Sequence, residues 1–136
     1  MRPDGVSDRL AIGEVMSAYA FALDTKDWDA LMALFVPDAR IDYSSFGGPT
    51  GTPADVVGWL QTSLAAFDVC QHVITNHRIT LDGDSASAHS YVVNPLGSGG
   101  DVQLLGGGSY LDTFARTPDG WRFTSKVAEK GWLKAI

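Results

Sequence analysis

The residues in this chain best suited to moving a proton near neutral pH are an acid, Asp24, and a histidine, His72. Asp24 closes the apolar helical run of "FALDTKDWDALMALFVPDARIDY", and His72 stands near the start of "CQHVITNHRITL". A neutral imidazole accepts a proton at one nitrogen. A carboxylate on its other nitrogen fixes the tautomer and stabilises the imidazolium that forms. Asp24 also sits where the negative end of a helix dipole disfavours an acid, a placement that a histidine arriving from elsewhere in the chain would compensate. Ordinary readings stay open: Asp24 can cap the helix that follows it, and His72 can be a hydrogen-bonded structural histidine. Tyr19, on the apolar stripe ahead of Asp24, can either pack in the core with a satisfied hydroxyl or bond a ligand. The single cysteine, Cys70, makes no zinc spacing with His72 or His77, because no second Cys or His-x3-His set follows. It reads as a small buried hydrophobe, and no metal or cofactor is expected.

Three helices must carry or face these residues. From Ser7 to Leu23, the residues Ile12, Val15, Met16, Tyr19, Ala22 and Leu23 recur at three- and four-residue spacing, with Ser7 as N-cap. A second helix is predicted from Asp27 to Phe35, ended by Pro37, and "ARIDYSSF" then reads as a short strand. In "PTGTPADVVGWLQTSLAAF", Thr52 caps a third helix, Pro53 suits its first position and Asp55 its first turn, while Gly58 weakens it slightly. After Phe67 the pattern turns to β. "CQHVITNHRITL", "SASAHSYVV", "VQLLGGGSYLDTFART" and "GWRFTSKVAEKGWL" are separated by the turns "DGD", "PLGSGGD" and "TPDG". The glycines 106 to 108, inside a strand pattern, fit a bulge or a close backbone approach.

The expected fold is therefore α+β: three helices packed on one face of a curved antiparallel sheet that can cup a pocket. With Asp82 and Gly83 as the central pair of a hairpin turn, His72 is placed opposite Val93, and Asn76 becomes a cross-strand neighbour of His89. One face then carries His72, Ile74, Asn76, Arg78, Ser87, His89 and Tyr91, and both faces are mixed. Asn76 and His89 are candidate site residues, or simply a polar pair. Trp28, Trp59, Trp121 and Trp132 read as packing.

At 136 residues, the chain fits one domain, 1–136, with 45% hydrophobic and 19% charged residues, as in ordinary globular proteins. A net charge of -6 with scattered Lys and Arg argues against a nucleic-acid partner. The N-terminal sequence has no apolar h-region and no run reaches the roughly 20 apolar residues of a membrane span, so a cytoplasmic location is expected. No phosphate loop, nucleophile elbow or nucleotide fingerprint stands in the right context.

Residues 24 to 46, "DTKDWDALMALFVPDARIDYSSF", together with "QHVITNHRI" and the closing hairpin "GGGSYLDTFARTPDGWRF", resemble the scytalone dehydratase-like members of the SnoaL-like group in the nuclear transport factor 2-like superfamily. That resemblance implies a cone enclosing an apolar cavity with polar groups at its floor. It places the catalytic Asp and His on Asp24 and His72, and a substrate-binding tyrosine on Tyr43. A related bile-acid dehydratase has a tyrosine matching Tyr19 and an arginine matching Lys130. Where scytalone dehydratase has a further tyrosine and a second histidine, this chain has Leu23 and Leu96. The base of ketosteroid isomerase falls on Tyr43. The implied activity is a cofactor-independent lyase acting on a small apolar hydroxylated or carbonyl compound, such as a polyketide or steroid. Isomerisation or cyclisation in the same cavity, or non-catalytic binding, are the alternatives. A homo-oligomer, dimer or trimer, joined through the outer sheet face is also expected.

Overall fold

A computed structural model describes residues 5–136. Helix α1 spans Val6–Asp24 and α2 spans Trp28–Ala33. Strand β1 (Phe35–Asp42), a short 3-10 turn and β2 (Thr50–Gly51) lead into α3 (Pro53–Leu64). The rest is β3 (Val69–Cys70), β4 (Val73–Asp82), β5 (Ser85–Ser98), β6 (Asp101–Thr117) and β7 (Gly120–Ala135). The sheet runs β2-β1-β7-β6-β5-β3, with β4 also paired to β5. It is antiparallel except where β1 lies parallel to β7. This is the α+β cone: three helices close the concave face of a strongly curled sheet, among them Ile12, Met16, Leu23, Val56 and Leu60 packed against Phe114 and Phe123.

Local chemistry explains most boundaries. Thr52 and Asp55 form a reciprocal capping box, with Pro53 in the first helical turn. Asp27 caps α2 by accepting from the Ala30 N–H. Helix α1 starts one residue before the expected cap Ser7, with Gly5 in a left-handed conformation at the N-cap. The second helix is shorter than expected, because Phe35 already pairs with Phe123 of β7. Pro37, expected only to stop that helix, lies inside β1. The strand tolerates it because the β1–β7 register shifts between Phe35 and Arg40, where no ladder N–H is required of it.

The largest departure lies in the β4–β5 hairpin. Asp82 pairs with Ser85, so Gly83 and Asp84 form the turn. Then Thr75 pairs with Tyr91 but Arg78 with His89, which sets Asn76 and His77 against Ser90 alone. Asn76 holds a left-handed φ of 59° in this bulge. One extra residue reverses every side chain before it. Ile79 and Leu81 are half-buried with the inward Ala86 and Ala88 opposite them, whereas across the bulge it is Ile74, paired with Val92, that is half-buried, and Thr75 is exposed. The expected pairing of Asn76 with His89 is thereby replaced by Arg78 with His89.

The glycine run performs as a bend. The β6–β7 register shifts between Gly107 and Gly108. A Cβ on Gly108 would stand 2.1 Å from the Glu129 carbonyl oxygen, and one on Gly107 would enter the Trp132 ring. Side chains are excluded there by backbone and ring contact.

The core also holds an ion pair. Lys126 Nζ lies 2.9 Å from Asp112 Oδ1, with both side chains 1% exposed. The ammonium also stands 3.8 Å from the Tyr110 ring centroid, 4.2 Å from that of Tyr19 and 4.7 Å from that of Phe123. Burial opposes charge on both groups, raising the Asp112 carboxyl and lowering Lys126, while each partner pulls the other back. Ring faces and the carboxylate replace the lost hydration.

Two predictions follow from this packing. Gly108→Ala should lower the unfolding free energy by about 1–3 kcal/mol, whereas Gly58→Ala, at an open helical position with nothing within 4 Å, should raise it by about 0.5–1 kcal/mol; urea unfolding of both variants checks the pair. Lys126→Met should destabilise by about 3–5 kcal/mol through the stranded carboxylate, and adding Asp112→Leu should recover most of that loss. A double variant no more stable than the single one would contradict this account.

Candidate functional site

The C-terminus of α1 and the segment between β3 and β4 meet at Asp24 and His72. Both Asp24 oxygens accept from the His72 backbone N–H, at 3.1 and 2.9 Å, and Oδ1 lies 2.7 Å from His72 Nδ1. The His72 side chain is 7% exposed and that of Asp24 18%. An acid at the negative end of α1 is thus held by three contacts from one residue, which answers the dipole conflict visible in the sequence. With Nδ1 turned to the carboxylate, Nε2 is the nitrogen left for chemistry. Cys70, two residues earlier, places Sγ 3.7 Å from Asp24 Oδ1 and 4.0 Å from His72 Nδ1. Burial, then the neighbouring carboxylate, push its thiol up to about 11, so it acts as a protonated donor rather than a nucleophile.

His72 lines a cavity of about 250 Å³ between the helices and the inner face of β5, β6 and β7. Leu23, Leu60, Leu64, Phe67, Val92, Leu96 and Leu104 make its wall mainly apolar. Tyr19, Tyr43, Ser63, Asn94 and Tyr110 bring the polar atoms. Tyr19 precedes Leu23 by one helical turn, so both face the cavity. Tyr43 follows directly on β1, stacks on Trp59 with ring centroids 5.5 Å apart, and shares a 2.5 Å hydrogen bond between its hydroxyl and that of Tyr19. Burial is the first cause that raises the phenols of Tyr19, Tyr43 and Tyr110 above their ordinary value. All three remain protonated at neutral pH and offer hydroxyl donors.

Of the sequence candidates, Asp24, His72, Tyr19 and Tyr43 come together around this cavity. Asn76, His89 and Lys130 do not. Asn76 and His89 are exposed, and His89 packs against the exposed Tyr91, because the bulge separates the His72 segment from that outer face. Lys130 is exposed at the β6–β7 bulge, where its backbone N–H donates to Ser45 Oγ. Sequence reasoning missed Asn94, although continuing the inward alternation of Ala86, Ala88 and Val92 by one step reaches it. It also missed Tyr110, whose inward position follows only from the β5–β6 register that sets it against the buried Ser90. Trp59 is packing, as expected, but packing that forms a cavity wall. Among the described residues, no helix is long and apolar enough to cross a membrane.

This chain resembles known proteins in sequence and fold. The sequence profile of the SnoaL-like domain matches residues 4–127. An uncharacterized protein of Mycobacterium tuberculosis is 40% identical over 133 residues, 96% of this chain and 90% of that protein. A crystal structure from Novosphingobium aromaticivorans, provisionally described as an aromatic ring hydroxylase, has a TM-score of 0.84 at 31% identity, over 100% of this chain and 96% of that one. Another from the same organism, provisionally described as a scytalone dehydratase, has a TM-score of 0.87 at 20% identity, over 97% and 89% of the two chains, a likeness of fold. Since the profile spans nearly the whole chain and the mycobacterial relative aligns over almost all of it, this chain belongs to the SnoaL-like domain family, on the nuclear transport factor 2-like cone.

Proposed function

We propose that this protein is a cofactor-independent lyase that removes water from a small, largely apolar compound bearing a carbonyl and a hydroxyl group. The carrying observation is the 2.7 Å contact between His72 Nδ1 and Asp24 Oδ1 at the edge of a cavity that His72 lines. His72 Nε2 takes the proton alpha to the carbonyl, and Asp24 stabilises the resulting imidazolium. The Tyr43 hydroxyl, itself accepting from that of Tyr19, donates to the carbonyl oxygen as it gains negative charge. The imidazolium then returns its proton to the departing hydroxyl. A C–H and a C–O bond break, a C=C bond forms and water leaves. The fold likeness to a protein described as a scytalone dehydratase supports this reading, as does the apolar wall, which keeps bulk water from competing for the proton.

The tyrosines contribute by staying neutral. An ionised phenol would repel a developing oxyanion, whereas the buried Tyr43 hydroxyl donates to it. A placed base supplies about 10²–10⁴ in rate, and loss of one oxyanion donor costs about 10²–10³.

Incubating the protein with a library of hydroxylated ketones and following masses should reveal a product lighter by one water. His72→Ala and Asp24→Asn should each lower its formation by at least about 10² with unchanged far-UV circular dichroism, and Tyr43→Phe should lower it by a similar factor. Full activity in both dyad variants would reject the mechanism. A product of unchanged mass that still depends on His72 would replace dehydration by isomerisation or cyclisation.

A further inference from the structure

The thiol of Cys70 has no part in the proton transfer above, yet it completes a set of three different donor atoms. Asp24 Oδ1, Cys70 Sγ and His72 Nδ1 all lie within 4.8 Å of one another in a half-buried setting. We infer that these three atoms form a binding site for a thiophilic divalent ion such as zinc or cobalt(II), and that occupying it converts His72 from a proton acceptor to a donor at the cavity.

The distances support tetrahedral coordination. Metal–sulfur bonds near 2.3 Å and metal–nitrogen or metal–oxygen bonds near 2.0–2.1 Å put neighbouring donors about 3.3–3.6 Å apart. Sγ already stands 3.7 Å from Oδ1 and 4.0 Å from Nδ1. Only the Nδ1–Oδ1 contact, 2.7 Å as a hydrogen bond, must open, by roughly 0.6 Å on the same geometry. The carboxylate can make that adjustment because its second oxygen stays on the His72 backbone N–H at 2.9 Å. Cys70 ends β3 and His72 follows two residues on, and the two side chains meet Asp24 Oδ1 at 3.7 and 2.7 Å. Thiolate, imidazole and carboxylate together suit zinc, and the hard cations magnesium and calcium do not take sulfur. The fourth position is left for water or a ligand.

Proton balance gives the consequence. The ion binds a thiolate, so the Cys70 proton leaves to solvent. It also needs the Nδ1 lone pair, so the proton that Nδ1 donates to Asp24 in the free dyad moves to Nε2. One proton is released per ion, and His72 then presents an N–H to the cavity. An N–H cannot accept a substrate proton, so ion binding and base catalysis exclude each other. The binding claim itself does not rest on the dehydratase reading.

The test adds cobalt(II) to the metal-free full-length protein under a non-thiol reductant. Thiolate-to-cobalt absorption in the near ultraviolet, with visible bands of tetrahedral intensity, should saturate at one ion per chain and release one proton. Cys70→Ser should remove the near-ultraviolet band and weaken binding at least about tenfold, with circular dichroism showing the fold retained. In protein labelled with nitrogen-15 at histidine, zinc should move the His72 Nε2 resonance to that of a protonated ring nitrogen. Only the pale spectrum of hydrated cobalt(II), or a band surviving in Cys70→Ser, would overturn the site. An Nε2 that stays unprotonated with zinc bound would overturn the switch. Because each readout is spectroscopic, failure of water loss leaves this result standing, and failure here leaves the dyad's chemistry to its own test.

Discussion

The clamp between Asp24 and His72 is the constraint on which the site depends. Asp24 ends α1 and His72 opens the segment into β4, 48 residues later. Two backbone contacts and one ring contact fix both the carboxylate and the imidazole plane. Charge-assisted hydrogen bonds in a partly water-excluded setting are the strong ones. The placement also resolves an electrostatic conflict, since the acid that the helix end disfavours is the one that receives a strand N–H. Replacing His72 by alanine keeps that backbone donor, so loss of the ring need not loosen the tie between helix and sheet.

The cone that surrounds the clamp is produced by irregularities in an otherwise regular sheet. The bulge at Asn76 and His77 reverses the strand ahead of it and brings the His72 segment to the concave side. The shift at Gly107 and Gly108 lets β6 and β7 bend under Trp132. A flat sheet would pack its helices directly, with no hollow between. Residues that break the ladder thus determine where side chains can converge.

Much of this was legible in the sequence, and the failures have a common cause. The helical stripe from Ile12 to Leu23, the capping box at Thr52 and the turns between the long strands are local signals, and each element stands close to where they place it. Register is not local. Moving the turn from Asp82–Gly83 to Gly83–Asp84 and adding one bulged residue changed the partners of every residue in β4, which removed Asn76 and His89 from the cavity. The parallel β1–β7 pairing and the Lys126–Asp112 pair were likewise invisible, because each joins segments whose adjacency follows only from closing the cone. The family resemblance singled out Tyr43 and Tyr19 separately, and the contact between their hydroxyls emerges only from the fold.

The cavity's chemistry is then a division of labour by burial. At the floor, phenols held neutral by burial can donate hydrogen bonds without carrying charge of their own. Behind them the Lys126 ammonium lies against the Tyr19 and Tyr110 faces, and Asp112 balances it, so the pair adds a local field but no net charge. Elsewhere on the cavity wall, His72 is tied to its acid, and the Cys70 thiol behind it stays protonated. With Nδ1 held by Asp24 Oδ1, the other ring nitrogen of His72 is Nε2, and its character follows from what Nδ1 binds. A carboxylate on Nδ1 leaves the Nε2 lone pair free to accept, whereas a cation there makes Nε2 a donor. On the proposed mechanism, the reactivity of the cavity is therefore decided on the far side of a single imidazole ring, at Nδ1 rather than at the nitrogen that meets the substrate.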